Sequence, residues 1–155
     1  RELAPLAAIL TRIAAQGGAA LLVDYGHSES GFGDTLQAVE GHDYAEPLES
    51  PGEVDLTAQV DFEALAKLSS DAVRAFGPAS QRNFLRELGI EARSEILQRN
   101  AKPEMKDEIG ADLTRLIGPA PNMGELFKAL AFAHRDLAAL PGFDGAKISG
   151  GESRA

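Results

Sequence analysis

Apolar positions along this chain follow two different rhythms. Leu3, Leu6, Ala7, Ile9, Leu10, Ile13 and Ala14 recur at helical spacing, the stripe of an amphipathic helix over residues 3 to 16, and Gly17-Gly18 ends it. After that two-residue turn comes Ala19-Ala20-Leu21-Leu22-Val23, a continuous apolar run too short for a helix. Closed by Asp24, Tyr25 and Gly26, it predicts a buried strand of a parallel sheet. The rhythm then stops. Residues 27–54 carry Gly31, Gly33, Gly41, Gly52, Pro47 and Pro51 with no helical period, which predicts a long loop with a short strand near Thr35 to Val39.

Alternation returns with Leu56, Ala58 and Val60, a short extended piece over Asp55 to Val60. Asp61 reads as a helix N-cap, with Glu63 in the first turn and Phe62, Leu65, Ala66 and Leu68 on the inner face. A second strand is expected over Ala72 to Phe76. Ser80 caps a helix running to Leu88, and Gly89 closes it. Helices follow over Glu91 to Asn100 and Pro103 to Ile117, the latter with proline in its first turn and Gly118 past its end. The last strand is expected over Leu126 to His134, and the Gly- and Ser-rich tail from Gly142 is expected to be disordered.

Composition narrows the function classes. A chain of 155 residues is long enough for one domain, and a hydrophobic content of 44% with 25% charged residues is ordinary for a globular protein. The net charge of −9 argues against non-specific nucleic-acid binding and against adhesion to anionic membranes, since both need a basic surface. There is no apolar run long enough to span a bilayer. The chain has no cysteine, and its three histidines, His27, His42 and His134, are too scattered to suggest a metal site. The first residue is Arg1 and not Met, so the N-terminus is either processed or the start of a fragment.

Candidate chemistry gathers in a few places. Asp24 and Tyr25 are expected at the carboxyl end of a strand, where open α/β sheets bind ligands; the structural alternative is a turn in which Gly26 supplies a positive φ. His42, beside Asp43, suits a general base or a pH-sensitive contact, or simply a solvated loop position. Asp55, Thr57 and Asp61 form the densest polar cluster; Asp61 is better explained as an N-cap, Thr57 can serve as a turn hydroxyl, and Asp55 stays open. Gln81 is more readily a cap element than a substrate contact. Gly31-Phe32-Gly33 has no helix pattern after it, so it reads as a flexible loop and not a phosphate cradle. Phe62, Phe76, Phe84 and Phe127 read as core, and the charges from Lys102 to Arg115 as a solvated helix face.

Several blocks then occur in an ordered series: Ala20-Leu21-Leu22-Val23-Asp24-Tyr25-Gly26; Asp34-Thr35-Leu36 with His42 downstream; Pro51-Gly52-Glu53-Val54-Asp55-Leu56-Thr57-Ala58-Gln59-Val60-Asp61-Phe62. Ser80-Gln81 with Phe84-Leu85-Arg86-Glu87-Leu88-Gly89-Ile90, and Met123-Gly124-Glu125-Leu126-Phe127-Lys128, continue it. Over residues 1 to 143 the series resembles the C-terminal half of the MidA-like family. These are S-adenosylmethionine-dependent methyltransferases tied to respiratory complex I assembly, with an arginine of a complex I subunit as the acceptor in mitochondria.

The resemblance implies an α/β fold, the C-terminal part of a class I (Rossmann-like) methyltransferase sheet with flanking helices. The first strand here would be the fifth of that sheet, and the last an antiparallel strand inserted late. Residues 1–143 would be the C-terminal half of a methyltransferase-like domain and 144–155 a disordered tail. The implied cofactor is S-adenosylmethionine and the implied partner a protein substrate with an arginine acceptor, in the bacterial cytoplasm or the mitochondrial matrix. Two family features have no counterpart: the acidic-Gly-Pro-Gly-Arg-Gly loop and the Asn-Glu motif of the fourth strand. Gln59 also stands where the family often has His, and Ser80 where Thr is usual. The main cofactor site is therefore expected upstream, with this chain supplying the substrate side of the cleft. The expected catalytic residues are Asp24, His42 and Asp55, and the expected substrate contacts are Tyr25, Gly26, Thr57 and Gln81. Paired carboxylates suit an arginine acceptor, because they hold a guanidinium bidentately. The alternative expectation is a non-enzymatic assembly factor or binding module that lacks the cofactor half, prone to self-association through unpaired strand edges.

Overall fold

The computed structural model describes residues 3–33, 35–41, 43–49, 52–144 and 148–149. Helix α1 (Ala4–Gln16) opens with Pro5 in its first turn and buries Leu6, Leu10 and Ile13 against the sheet, each worth roughly 2 kcal/mol. Ile9 is about half exposed, so the buried stripe is narrower than the sequence pattern. Gly17 (φ 78°) and Gly18 (φ 100°) then take backbone angles that L side chains avoid, and the chain reverses into β1 (Ala19–His27).

A small sheet follows, made of β2 (Gln37–Glu40), β3 (Asp43–Ala45) and β4 (Asp55–Thr57). After it come β5 (Val60–Asp61), α2 (Phe62–Ala66), β6 (Val73–Ser80), α3 (Gln81–Glu87), α4 (Ile90–Asn100), α5 (Pro103–Ile117), α6 (Met123–Leu126), β7 (Phe127–His134) and β8 (Ile148–Ser149). The main sheet has the order β5-β1-β7-β6-β8 and the small one the order β3-β2-β4. Strand β7 runs antiparallel between β1 and β6, which makes those two strands parallel to each other. The expected late antiparallel strand is therefore present, and it is wedged into the sheet's middle.

Alternation along β7 divides the core into two layers. Leu130 and Phe132 face α1 and α2 together with Leu6, Leu10, Ile13, Phe62 and Val73. Ala129, Ala131 and Ala133 face the other way, under Phe76 and Phe143. The small alanines on that face leave room for the Phe84 and Phe143 rings, 5.1 Å apart.

Four expectations change. The long loop over residues 27–54 contains most of a three-stranded sheet, with the expected strand displaced to Gln37–Glu40. Strands of three and four residues are too short to carry a readable period, and their stability comes from cross-strand pairing. The extended piece over Asp55 to Val60 is two strands in two different sheets, β4 and β5. The strand expected to be buried in a parallel sheet, β1, pairs in parallel only with β5, at Gly26 and His27, and antiparallel with β7. Leu21 (53%) and Val23 (48%) stay exposed on the face they share with Ala131 and Ala129, and among the described residues no strand lies beside Ala19–Tyr25 on the other edge. Finally, ordered structure extends past Gly142: Phe143 is a core residue, and Ile148–Ser149 pair with β6 as β8. The other residues of the expected tail beyond Asp144 lie outside the described ones.

The caps read from sequence hold. Asp61 Oδ1 accepts from the Ala64 amide at 2.9 Å, and the Ser80 hydroxyl accepts from the Asn83 amide at 3.3 Å. Replacing Asp61 with Ala is expected to cost about 1 kcal/mol in urea unfolding, while Asp61→Asn keeps most of the cap. The two variants also separate a pH effect. The Ala64 amide chiefly, then the Ser30 hydroxyl, His27 and Lys67, hold the Asp61 carboxyl below its ordinary 3.8, against the opposing effect of burial. A lowered folded-state value means the stabilisation is complete above the unfolded value and disappears as pH falls through the folded one. The wild type should therefore lose stability below about pH 4 more steeply than Asp61→Asn.

Candidate functional site

Strand β1 extends to His27, so its carboxyl end lies beyond Asp24 and Tyr25, which are paired strand residues opposite Lys128 and Phe127. Asp24 Oδ1 accepts from the Tyr25 amide at 2.8 Å, and the Tyr25 and Phe127 rings meet edge to face at 6.0 Å. Lys128 turns away to the α6 terminus, donating to the Glu125 carbonyl and, at 3.4 Å, to that of Leu126. Its burial lowers the ammonium pKa, and Glu125 opposes that shift.

Gly26 departs from its structural alternative. It is not a positive-φ turn residue but a strand position where a Cβ would lie 2.2 Å from the Val60 carbonyl oxygen and 3.0 Å from the Phe62 ring. Only glycine lets β5 approach β1 this closely.

That approach assembles a polar group which the sequence reading did not assemble. His27 Nε2 lies 3.8 Å from Asp61 Oδ2, and the Ser30 hydroxyl donates to Asp61 Oδ1 at 2.9 Å. The Ser30 amide donates to Glu63 Oε2 at 2.6 Å, and Lys67 holds Glu63 Oε1 at 2.7 Å. The Lys67 contact and the Ser30 amide lower the Glu63 pKa. This cluster fixes the exit of β1 at the edge where open α/β sheets carry their sites. The signals available in sequence were the N-cap Asp61 and a histidine directly after the glycine of a strand end.

The remaining expected site residues separate. Asp55 and Thr57 sit on β4 of the small sheet. Gln81 is buried, and its amide donates to the Leu116 carbonyl at 2.8 Å, while Arg82 Nε donates to that of Ile117 at 2.6 Å. Both satisfy the carbonyl end of α5, so the side chain of Gln81 is engaged within the fold. His42 lies outside the described residues.

A cleft of about 200 Å³ lies over the β1–β7 face, but its lining, including Leu21, Phe84, Ala131, Leu140 and Phe143, is apolar throughout. It presents no side-chain donor or acceptor for a ribose or an amino-acid group, so S-adenosylmethionine does not fit there. Among the described residues no group of His, Asp and Glu is placed to hold a metal ion, and no helix is long and apolar enough to cross a membrane.

An antiparallel strand between two parallel ones, with helices on the faces, is the C-terminal part of a Rossmann-like methyltransferase sheet. The profile of the family described as "Putative S-adenosyl-L-methionine-dependent methyltransferase" matches residues 2–79, and the chain belongs to that family. It is 42% identical over 120 residues to protein arginine methyltransferase NDUFAF7, mitochondrial, of Danio rerio, covering 77% of this chain and 28% of the relative. The Mus musculus protein of the same name is 40% identical over 121 residues, covering 77% and 27%. A crystal structure from Burkholderia thailandensis, bound to S-adenosyl-homocysteine, superposes with a TM-score of 0.60 at 26% identity, over 90% of this chain and 36% of that one. The chain thus spans less than a third of the length of these curated relatives.

Proposed function

We propose that this chain is the substrate side of an S-adenosylmethionine-dependent protein arginine methyltransferase acting on a respiratory complex I subunit. In this reading residues 1–143 form the C-terminal half of the catalytic domain, and the working compartment is the mitochondrial matrix or a bacterial cytoplasm. The observation that carries the reading is the free edge of β1. Among the described residues β5 pairs with β1 only at Gly26 and His27, so the backbone of Ala19–Tyr25 has no strand beside it on that edge, which suits a sheet that continues into a further strand. The family relationship supports the chemistry, and the lack of a glycine-rich loop counterpart in this sequence supports a cofactor site on the part of the relatives that this chain does not span.

Methyl transfer requires the acceptor nitrogen to be aligned and partly desolvated, so the contribution of this chain is positioning. Asp24 on β1 and Asp55 on β4 are the proposed carboxylates that favour a cationic acceptor. Tyr25 and Thr57 border those carboxylates in sequence and complete the proposed acceptor surface, Gly26 contributes the close approach of β5 that holds Tyr25 in place, and His42 is the proposed proton acceptor.

Calorimetric titration of S-adenosylmethionine into the chain tests the placement of the cofactor. No heat is expected from the chain alone. The expected gain is cofactor binding, with label transfer from methyl-labelled cofactor to an arginine-bearing complex I subunit, once the remaining segment of the zebrafish relative is supplied. Tight binding by the chain alone would overturn the placement. A stable complex with the subunit and no transfer would favour an assembly factor instead.

A further inference from the structure

The charge of this chain is distributed unevenly. Between Arg12 and Lys67 there is neither Lys nor Arg, while eleven of the 24 acidic residues fall there. That segment includes the small sheet, whose register sorts its side chains onto two faces. Ala38 pairs with both Ala45 and Leu56; Ala38 on the central strand is 1% exposed, while Leu56 on the outer strand β4 is 56% exposed, so that face is covered at its middle strand. Val39 pairs with both Tyr44 and Asp55 on the opposite face, where Gln37 and Thr57 lie alongside. Tyr44 is 81% exposed and Asp55 is exposed too. An aromatic ring and a carboxylate therefore flank a flat aliphatic residue on an open sheet face, with the two outer strands about 10 Å apart.

At the tip of the same hairpin Glu40 stands directly opposite Asp43. Like charges in opposed positions weaken a strand pair, and a bound cation relieves them.

We propose that this open face docks an arginine of the acceptor polypeptide, its guanidinium lying over Val39, stacked on Tyr44 and paired with Asp55. The occupant is a basic, arginine-bearing segment in extended form, matched by charge to a stretch of chain, Ile13–Ala66, that carries eleven acidic residues and no Lys or Arg. Arginine fits better than lysine, because a planar guanidinium stacks on a ring while bonding a carboxylate in its own plane. The inference rests on the proposed function only in naming the bound polypeptide as the methyl acceptor.

The test is fluorescence anisotropy of the 155-residue chain with a labelled glycine-spaced arginine peptide, its lysine counterpart and its citrulline counterpart. The arginine peptide is expected to bind about tenfold more tightly than the citrulline peptide, with the lysine peptide between them. Tyr44→Ala and Asp55→Asn should each remove most of that preference, and Tyr44→Phe should keep it. Unchanged thermal unfolding of these exposed-site variants establishes that the fold is intact. Equal binding of the arginine and citrulline peptides, or an undiminished preference in Tyr44→Ala, overturns the proposal. Selective binding through Tyr44 with no methylation after supply of the remaining segment of the zebrafish relative leaves the docking face standing and removes the methyltransferase reading. Methylation at an unchanged KM in Tyr44→Ala does the reverse.

Discussion

Replacing Gly26 with alanine is expected to destabilise the fold by about 3 kcal/mol or more, the upper range for forcing a methyl group into packed structure. The added carbon would sit 2.2 Å from a backbone carbonyl oxygen, that of Val60, and no rotamer change relieves a clash with backbone. Strand β5 has to retreat, and the Gly26–Val60 and His27–Asp61 pairings retreat with it. Because Asp61 also caps α2, the local fault spreads to the start of that helix. Trimming the ring with Phe62→Leu should not restore stability, since it removes only the 3.0 Å contact. Urea unfolding gives the loss. The imidazole resonances of His27, shifted by separation from Asp61, show where it falls. A variant as stable as the wild type would mean that β5 does not pack against β1 as described.

Phe132→Ala should cost about 3–5 kcal/mol, through lost transfer energy and a cavity the sheet cannot close. Phe132 is 0% exposed and lies between Ala20 of β1 and Ala75 of β6, neither large enough to fill the gap. The surrounding Leu6, Leu10, Ile13, Phe62 and Val73 come from both helices and strands, so the layer under α1 loosens as a unit. Against a typical domain stability of about 5–15 kcal/mol, one such substitution leaves a large unfolded fraction. The same change at Phe32, which is fully exposed, is expected to shift stability by less than about 0.5 kcal/mol. The check is the urea midpoint at constant slope. A slope that also falls would show that the native state itself has expanded.

Which parts of this fold were legible in advance follows from the range of the interactions. Asp61 and Ser80 were visible as caps because the cap and the amide it accepts are three residues apart. Pro103–Ile117 was placed to the residue, since proline and glycine bracket it. The stretch that forms β2, β3 and β4 read as a loop, because strands of three or four residues leave no measurable period. Their two faces appear only when Val39 is set beside Tyr44 and Asp55, which are five and sixteen positions away.

The sequence by itself determined the helices other than the four-residue α6, the existence of β1, the acidic balance and the family, all of which are set by local pattern or by ordered blocks of residues. Only the tertiary structure decided that β1 continues through Gly26 to His27, and that Gly26 is required for space and not for turn geometry. It also decided that Gln81 is spent on the end of α5, and that Asp55 and Asp61, six residues apart, belong to different sheets. The reason is physical. A side chain's role depends on what pairs with the strand beside it, and that partner is fixed by packing between segments far apart in the chain.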